Sequence, residues 1–444
     1  MPALTDITHL NVTAELLRQK IDSRAAHCAV IGLGYVGLPL AVELGNAGFR
    51  VTGIDKDPEK VAAIDSGRSY IGDVDSQRVS DLASSGKLRA TCQETILREC
   101  DTVSICVPTP LRKTKEPDLT FVMQAADLLT DQLHPGMLVI LESTTYPGTT
   151  EEAILPVLER SGLRVGHDFF LCFSPERVDP GNSQFTTRTI PKVIGGVTPF
   201  CTQVGALFYS QVMDQVVPVS STRVAEMVKL LENTFRMINI GLANEMALMC
   251  RRMGINVWEV IEAAATKPFG FMAFYPGPGL GGHCIPVDPH YLSWKSKQAG
   301  SEARFIELAA HINSLMPQFV VETIQSALND RSKPVKGSKI HVVGVAYKKN
   351  VADTRESPAR DIIALLEKYG GIVSYTDPLV PQLQVRSSVF WSQPLDQAAQ
   401  ESDCSVIVTD HAMVDYHSLV QASPLIVDTR NVLKDFKNRN ILRL

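Results

Sequence analysis

The stretch VIGLGYVGLPLA, residues 30–41, follows an apolar run and opens a helix-like segment. Gly32, Gly34 and Gly37 in it have the spacing G-x-G-x-x-G, which permits a tight turn, close approach of backbone amides to a pyrophosphate, and close packing of helix on strand. A second apolar run, Phe49–Ile54, ends at Asp55, where a carboxylate can bind ribose hydroxyls and would repel a 2′-phosphate. The stretch therefore predicts a site for NAD and not NADP. A turn that merely joins strand to helix is the weaker alternative.

Short apolar runs alternate with helix-like segments along the first half of the chain, which predicts a parallel sheet with helical crossovers. The segments concerned are the helix at 12–24, the strands Cys28–Gly32, Phe49–Ile54, Thr102–Val107, Met137–Leu141, Phe169–Phe173 and Lys192–Gly195, and the helices Leu38–Ala47 and Leu119–Leu133.

The pattern changes after Ser221, where apolar residues at helical spacing continue almost without breakers to Gly254 and predict one long helix. Further helices are predicted at Val257–Ala265 and Ala303–Leu315. The alternating pattern then returns and predicts a second α/β domain, with strands Lys339–Ala346, Ile372–Tyr375, Cys404–Thr409 and Leu425–Val427 and a helix Pro358–Lys368.

Composition limits the classes of function that fit this chain. The 444 residues exceed a single core, 45% are hydrophobic and 20% charged, and the net charge of −5 includes no basic run, so nucleic-acid binding is not expected. No run of about 20 apolar residues and no signal-peptide pattern is present, so we expect a cytoplasmic protein without a membrane segment. The nine cysteines lack C-x-x-C spacing and are predicted to be mostly buried, reduced thiols.

One cysteine has a different context. Cys284 lies in GLGGHCIPVD, residues 279–288, where three glycines place it in a loop and Asp288 follows four positions later. A small residue packed under a loop is the ordinary alternative. A zinc site built from His283, Cys284, Asp288 and His290 is less favoured, because adjacent His and Cys side chains rarely converge on one ion.

Two further patterns suggest polar groups that act together. Lys229 and Asn233 are four residues apart on the predicted long helix, so they share a face and can point into one pocket, although a solvated face is the default interpretation. Thr109 and Thr144 follow two predicted strands, at the sheet edge where cofactors bind, although such threonines are often turn residues.

The motifs together resemble the UDP-sugar 6-dehydrogenase family from about Ala26 to the C-terminus, closest to the UDP-N-acetylglucosamine 6-dehydrogenases. The resemblance rests on seven ordered motifs: VIGLGYVGLPLA, VPTP, ESTTYPGTT, FSPERVDPGN, EMVKLLENTFR, PGPGLGGHCIPVDP and GVAYKKNVADTRESPA.

The resemblance implies an α/β protein of three parts. These are an NAD-binding Rossmann domain at residues 1–219, a central helical region with one long helix at 220–328, and a C-terminal Rossmann-like UDP-binding domain at 329–444. The resemblance also implies a homodimer or higher homo-oligomer, joined through the central helices. The product would feed a surface polysaccharide such as O-antigen or capsule.

The family's site residues carry over onto matching positions of this sequence. The catalytic roles fall on the nucleophile Cys284, the acid Asp288, the oxyanion-stabilising Lys229 and Asn233, Glu176 as the glutamate, and Thr144, which positions a water. The cofactor site comprises Gly32, Gly34, Tyr35, Val36, Gly37, Asp55, Lys60, Thr109, Thr144 and Arg355. The substrate site comprises Glu176, Arg177, Lys229, Asn233, Tyr275, Gly279, Gly281, Lys348 and Arg355, and no metal is implied.

The implied reaction is a four-electron oxidation of the C6 alcohol of a UDP-sugar to a carboxylate, through a thiohemiacetal and a thioester on the cysteine. UDP-N-acetylglucosamine is the favoured substrate, with UDP-N-acetylmannosamine next and UDP-glucose third. Glucose-type enzymes usually read Ser-Pro-Glu-Phe with a second acid four residues on, whereas this chain has Arg177 and Pro180. A regulatory sugar-nucleotide-binding protein and a two-electron, 6-phosphogluconate-like dehydrogenase are the alternatives from other classes.

Overall fold

We describe a computed structural model covering residues 12–112, 114, 116–179, 185–282 and 284–444. The chain forms two compact units, one ending at Glu232 and the other running from Asn233 to Leu444. The domain boundaries expected after residues 219 and 328 stay a prediction.

The first unit is built on an eight-stranded sheet. The strands are β1 His27–Ile31, β2 Arg50–Ile54, β3 Leu88–Thr91, β4 Thr102–Ile105, β5 Leu138–Leu141, β6 Phe170–Phe173, β7 Lys192–Gly196 and β8 Val216–Pro218. Their order across the sheet is β3-β2-β1-β4-β5-β6-β7-β8. The helices are α1 Val12–Asp22, α2 Gly37–Asn46, α3 Pro58–Asp65, α4 Ser76–Ser84, α5 Thr120–Thr130, α6 Leu155–Leu158 and α7 Pro199–Ser210.

The central strand β1 shows why the sheet is buried on both faces. Cys28 and Val30 belong to one apolar cluster, while Ala29 and Ile31 belong to another, because successive side chains of a strand point to opposite faces. All five residues of β1 are buried. The continuous apolar run in the sequence is therefore the pattern of a strand covered on both sides.

One part of the parallel-sheet prediction is wrong. β1 to β6 pair in parallel, but β7 is antiparallel to β6, with Cys172 opposite Gly196 and Phe173 opposite Gly195. Parallel neighbours need a crossover connection, and the described part of the segment between these two strands contains no helix. The chain therefore turns back along β6, which places Lys192 at the start of β7.

The long helix α8, Thr222–Met253, is confirmed. It is followed by α9 Val257–Ala265, α10 Asp288–Gln298 and α11 Arg304–Asn329. The sequence-based helix ending at Leu315 is too short, because α11 continues through Pro317 to Asn329. Helix α10 was not predicted. A proline lies near its start, where the missing N–H does no harm.

The second unit contains a five-stranded parallel sheet, ordered β10-β9-β13-β14-β15. Its strands are β9 Lys339–Val343, β10 Ile372–Thr376, β13 Cys404–Ile407, β14 Ile426–Asp428 and β15 Ile441–Arg443. An antiparallel hairpin joins β11 Gln382–Val385 and β12 Ser388–Trp391. The helices are α12 Pro358–Lys368, α13 Leu395–Glu401 and α14 Tyr416–Ala422. Within the described chain, no helix has the length and apolar character needed to cross a membrane.

Candidate functional site

The glycine motif forms a tight turn between β1 and α2. Gly32 has φ +89°, and a Cβ atom there would lie 2.7 Å from the carbonyl oxygen of Cys106. A Cβ atom on Gly37 would lie 1.8 Å from the carbonyl oxygen of Gly32, whereas Gly34 has open space within 4 Å. The first and third glycines are thus needed by the fold itself. The space beside Gly34, at the start of α2, suits the pyrophosphate of a dinucleotide.

Asp55 follows β2, and its carboxylate is held in place by its neighbours. One oxygen accepts hydrogen bonds from the Leu33 amide at 2.8 Å and the Lys60 ammonium at 3.3 Å, and the other accepts from the Asp57 amide at 3.0 Å. The side chain is therefore oriented next to the glycine turn. The residues present fit NAD, since a fixed carboxylate at this point can accept hydrogen bonds from ribose hydroxyls.

The remaining cofactor candidates lie around the same turn and sheet edge. Val36 precedes the first residue of α2, and Tyr35 is 39% exposed. Thr109 and Thr144 follow the parallel neighbours β4 and β5, so both lie at the carboxyl edge of the sheet. The hydroxyl of Ser143 donates to the Val107 carbonyl at 2.7 Å and joins these two strand ends.

The loop after β6 positions Glu176 by two backbone hydrogen bonds. Its Oε1 accepts from the amides of Arg177 at 2.7 Å and Val178 at 2.8 Å. Its Oε2 lies 3.6 Å from the Nζ of Lys192, which is itself 2.6 Å from the Oε2 of Glu142. A buried ammonium thus lies between two carboxylates.

Arg177 has a structural environment that the sequence did not indicate. Its guanidinium forms a two-point ion pair with Glu232 of α8 and donates to the Pro191 carbonyl at 2.8 Å. These contacts tie the loop after β6 to the long helix. A direct contact of Arg177 with substrate stays a prediction.

Lys229 and Asn233 do not lie on a solvated helix face. Their exposed fractions are 8% and 5%. In the second unit, Asn233 donates from Nδ2 to the Oδ2 of Asp288 at 2.6 Å, and Asp288 is only 4% exposed. An amide and an acid that are 55 residues apart in the sequence are therefore brought into direct contact.

Cys284 ends the glycine loop at the start of α10. Its carbonyl accepts from the amides of Val287 at 3.1 Å and Asp288 at 2.8 Å, which places it in the turn that leads into the helix. A helix N-terminus favours the thiolate form of a nearby cysteine. His283, part of the zinc alternative, lies outside the described residues, and so does Pro180.

The other cysteines are poor candidates for a nucleophile. All nine lie in the described chain without a disulfide, seven are buried, Cys92 is exposed and Cys284 has intermediate exposure. Burial raises the pKa of the Cys28, Cys100 and Cys404 thiols to about 12. A thiol with so high a pKa is protonated at neutral pH and reacts slowly.

The glycine loop packs closely on the segment 347–358 that follows β9. A Cβ atom on Gly281 would lie 2.7 Å from the Cβ of Tyr347, and the Gly282 amide donates to the Arg355 carbonyl at 3.0 Å. Gly279 has φ +137°. The motif carrying Cys284 and the motif carrying Lys348 and Arg355 are thus neighbours within the second unit.

The basic and aromatic candidates of the second unit have distinct surroundings. Arg355 pairs with Asp353, at 2.6 Å from Nη2, and is about half exposed. Tyr275 is 47% exposed and stacks on Trp258, with 6.0 Å between ring centroids. Lys348 lies between Tyr347 and the exposed Lys349, with intermediate exposure.

Three polar features of these regions were missed by sequence reasoning. Arg430 has its Nη1 2.7 Å from the position that a Cβ on Gly277 would occupy, so its guanidinium faces the glycine loop. Asp377 accepts hydrogen bonds from the amides of Val345 and Ala346 and from buried His411. The third feature is the Glu142–Lys192 pair. Asp377 could have been identified from the sequence as a candidate site residue, because it directly follows β10 just as Asp55 directly follows β2.

Metal ligands do not cluster in the described part of the chain, where no group of three or more His, Cys, Asp or Glu side chains could hold an ion. The first unit instead supplies a dinucleotide-binding turn, buried acids and Lys229, and the second unit supplies an amide, a buried acid and a cysteine in a loop. A Rossmann domain of this kind, followed by a long helix and a second Rossmann-like domain, defines an NAD-dependent oxidoreductase.

Comparison with known proteins gives the family. Residues 26–213, 223–315 and 341–435 match the NAD binding, central and UDP binding domains of the UDP-glucose/GDP-mannose dehydrogenase family. The chain belongs to this family. The three-part α/β fold, the NAD cofactor and the family resemblance seen in the sequence are confirmed.

Individual relatives carry different substrate names. The chain is 39% identical over 354 residues to a UDP-N-acetyl-D-glucosamine 6-dehydrogenase of Pseudomonas aeruginosa, covering 79% of this chain and 82% of that protein. It is 35% identical over 413 residues to a UDP-N-acetyl-D-mannosamine dehydrogenase of Pyrococcus horikoshii, covering 92% and 96%. A solved structure of that enzyme superposes with a TM-score of 0.85, covering 94% of this chain and 98% of that one.

Proposed function

We propose that this nucleotide-sugar dehydrogenase oxidises the C6 alcohol of a UDP-N-acetylhexosamine to the uronic acid in a four-electron reaction. The observation that carries the proposal is the buried hydrogen bond from Asn233 to Asp288. The Asp288 amide donates to the Cys284 carbonyl, so this acid lies in the turn that begins at Cys284. The buried hydrogen bond joins a hydrogen-bond donor and an acid next to the one loop cysteine of intermediate exposure. Such a combination suits covalent catalysis at a carbonyl carbon.

The chemistry explains why a nucleophile is needed. Removing two hydrides from one carbon passes through an aldehyde, which would escape if it were free. The Cys284 thiolate adds to the aldehyde carbon, and the resulting thiohemiacetal still carries a hydride to lose. The glycine turn and Asp55 would hold NAD⁺, which would supply the hydride acceptor for each of the two oxidations. The second oxidation leaves a thioester on Cys284.

The other residues have roles in moving protons and stabilising charge. Lys229 and Asn233 stabilise the alkoxide or oxyanion, for which preorganised donors contribute a few kcal/mol. Asp288 assists proton transfer at the first step. Glu176 takes a proton from a water positioned by Thr144, the hydroxide adds to the thioester carbonyl, and the C–S bond breaks to release the acid and the Cys284 thiolate.

Product stoichiometry tests the reaction. We expect two NADH for each UDP-sugar consumed, and at least about a thousandfold lower rate of acid formation in Cys284→Ser, because a serine hydroxyl is a far weaker nucleophile. Cys92→Ser, which changes an exposed cysteine, is the matched control and should keep its activity. One NADH per substrate and full activity in Cys284→Ser would point to a two-electron dehydrogenase. Binding without NADH would point to a regulatory protein.

For the substrate we propose UDP-N-acetylglucosamine first, UDP-N-acetylmannosamine as the alternative and UDP-glucose third. Relatives bearing the first two names support the N-acetylhexosamine class. The motif SPERVDPGN and the loop LGGHCIPVDP resemble the N-acetylhexosamine branch of the family, which supports placing both N-acetyl sugars ahead of UDP-glucose. Comparing kcat/KM for the three UDP-sugars with saturating NAD⁺ tests this order, and a preference for UDP-glucose would contradict it.

We also propose that the enzyme acts in the cytoplasm as a homodimer or higher homo-oligomer and that its product supplies a surface polysaccharide. The site residues named from the sequence keep their proposed roles, with Tyr275, Gly279, Gly281, Lys348 and Arg355 around the sugar nucleotide. Arg430, which faces the same glycine loop, joins them as a candidate.

A further inference from the structure

Lys192 is an unusual residue to find at the start of an interior strand. Its side chain is only 5% exposed, and its Nζ lies 2.6 Å from the Oε2 of Glu142 and 3.6 Å from the Oε2 of Glu176. Glu142 follows β5 and Glu176 follows β6, so side chains at the ends of three adjacent strands meet. A buried charge is costly unless it is paired, and here one cation is shared by two acids.

The neighbours of this group are neutral or engaged elsewhere. The Tyr209 hydroxyl of α7 donates a hydrogen bond to Glu142, and the Cys106 thiol, which follows β4, lies close by. Burial raises the pKa of both well above their usual range. Arg177, the adjacent cation in the chain, directs its guanidinium to Glu232 and a backbone carbonyl. The local balance of charge around Glu176 therefore depends on Glu142 and Lys192.

The pKa shifts of the pair agree with this geometry. Burial alone would lower the pKa of Lys192, but the Glu142 and Glu176 carboxylates raise it above its ordinary value. Burial raises the pKa of Glu142, and the Lys192 ammonium opposes that increase. Lys192 is thus protonated at neutral pH, as the contact distances require.

The two oxygens of Glu176 have different surroundings. Oε1 accepts two backbone amide hydrogen bonds, whereas Oε2 is buried and accepts none from the described residues. The Lys192 ammonium is too far from Oε2 for a hydrogen bond, yet near enough for strong attraction in a buried environment. Oε2 is therefore the oxygen of Glu176 that retains unused acceptor capacity and is held mainly by the charge of Lys192.

We infer that Lys192, anchored by Glu142 and Tyr209, is a positioning residue that orients the Glu176 carboxylate for thioester hydrolysis and holds a positive charge beside it. The inference rests on the proposed role of Glu176 as the general base. It makes hydrolysis, and not the hydride transfers, the step that depends on Lys192. Neither Lys192 nor Glu142 was among the residues expected from the sequence.

The experiment uses the full-length enzyme and two variants that change the charge near Glu176 in opposite directions. Lys192→Met removes the cation, so we expect steady-state kcat to fall at least about tenfold with little change in the KM for UDP-sugar. The acid limb of the kcat profile should move up by about one pH unit. In Glu142→Gln the Lys192 ammonium interacts with the Glu176 carboxylate alone, so the acid limb of the kcat profile should move to lower pH.

Rapid-quench and stopped-flow measurements identify the step that is affected. In Lys192→Met the first two NADH per site should still form at the wild-type rate, followed by slow turnover and an accumulated thioester on Cys284. A purely structural defect would slow the burst and the turnover alike. Lys192→Arg, which keeps the cation, should restore most of the hydrolysis rate.

The double variant Glu142→Gln/Lys192→Met covers the case in which Lys192→Met does not fold, since it removes the charge of the fully buried Glu142 together with its counterion. Arg188→Met, which removes a surface ion pair with Asp214, is the matched control and should behave as wild type. Wild-type kcat and an unmoved acid limb in the double variant would overturn the inference while leaving the proposed reaction intact. Absence of NADH from the wild-type enzyme would instead reject the proposed reaction.

Discussion

At the residue scale, we propose Asp55 as the main determinant of which dinucleotide binds. Its carboxylate is fixed by the amides of Leu33 and Asp57 and by Lys60, so it needs no reorganisation to receive a ribose. In this proposal the preference for NAD depends on a carboxylate that is held in place before the cofactor binds.

We expect Asp55→Asn to raise the KM for NAD⁺ about tenfold or more, because hydrogen bonds to charged groups contribute about 1.5–3 kcal/mol. The preference of the enzyme for NAD⁺ over NADP⁺ should become smaller. Steady-state kinetics with both cofactors measure this. Asp57→Asn is the matched control, because Asp57 caps α3 and asparagine caps a helix equally well. Equal effects of the two substitutions would contradict the assignment.

His341 of β9 is a second residue of interest, because its protonation affects the stability of the domain that contains it. Its ring nitrogens lie 2.9 Å from the hydroxyls of Ser374 and Thr376, and burial lowers its pKa to about 4. The unfolded chain has a higher histidine pKa, about 6.5, and so binds more protons as the pH falls. Stability from this group is therefore present above pH 6.5 and is lost towards pH 4.

We expect the free energy of unfolding of wild type to lose about 2.5 kcal/mol from His341 between pH 7 and pH 4.5. His341→Gln should show a correspondingly weaker pH dependence, and His417→Gln, at an exposed position, is the control. All three tryptophans lie in the second unit, so urea unfolding followed by tryptophan fluorescence reports on this domain. Parallel pH dependences of wild type and His341→Gln would contradict the prediction.

At the scale of elements, Glu226 joins the first turns of α8 to the helical turn after β5, within the first unit. This residue is fully buried, and its carboxylate accepts from the amides of Gly148 and Thr150 and from the Thr150 hydroxyl. Those amides begin the helical turn after β5, where backbone donors have no partners within the helix. Burial raises the pKa of Glu226 to about 7, while the three donors oppose that increase.

We expect Glu226→Ala to lower the free energy of unfolding by at least about 2 kcal/mol, because buried amides lose their acceptor. The raised pKa means that the native state binds a proton that the unfolded state releases between about pH 4.5 and 7. The contribution of Glu226 to the free energy of unfolding therefore decreases as the pH rises through that range. The difference from wild type should be larger at pH 5 than at pH 8, as measured by urea unfolding with circular dichroism. Glu152→Ala, at a surface ion pair, should change stability by less than about 1 kcal/mol.

At the scale of the whole molecule, the exposed face of α8 is a candidate surface for the proposed association of copies of the chain. Phe235, Leu242, Met249 and Met253 are 46%, 54%, 42% and 61% exposed. Their spacing of seven, seven and four residues places them in one stripe along the helix. An apolar stripe of this length on a surface helix is typical of a protein–protein interface.

We expect Leu242→Glu to convert a dimer into a monomer, because a charge would be buried in an apolar contact. Sedimentation equilibrium measures the mass directly. Arg236→Glu, exposed on the same helix about 120° around its axis, is the control and should remain dimeric. Unchanged association in Leu242→Glu would place the interface elsewhere.

Local patterns in the sequence were sufficient for most of the fold. Six of the eight strands of the first sheet, four of the five strands of the second, the long helix and the turn at Gly32 depend on residues close together in the chain, so hydrophobic spacing and glycine placement predict them. The short strands β3, β8 and β15 and the hairpin β11–β12 were missed. Pairing with distant neighbours, more than local spacing, determines a short strand of this kind.

The sequence by itself determined the glycine turn, Asp55 and the singular context of Cys284, because each is specified by its neighbours in the chain. Only the tertiary structure decided that Asn233 donates to Asp288, that Arg177 pairs with Glu232, and that Lys192 lies between two acids. These partners are separated by 16 to 55 residues, so their contacts depend on how strands and helices are ordered in space. A buried charge must find a partner, but its identity is set by the fold.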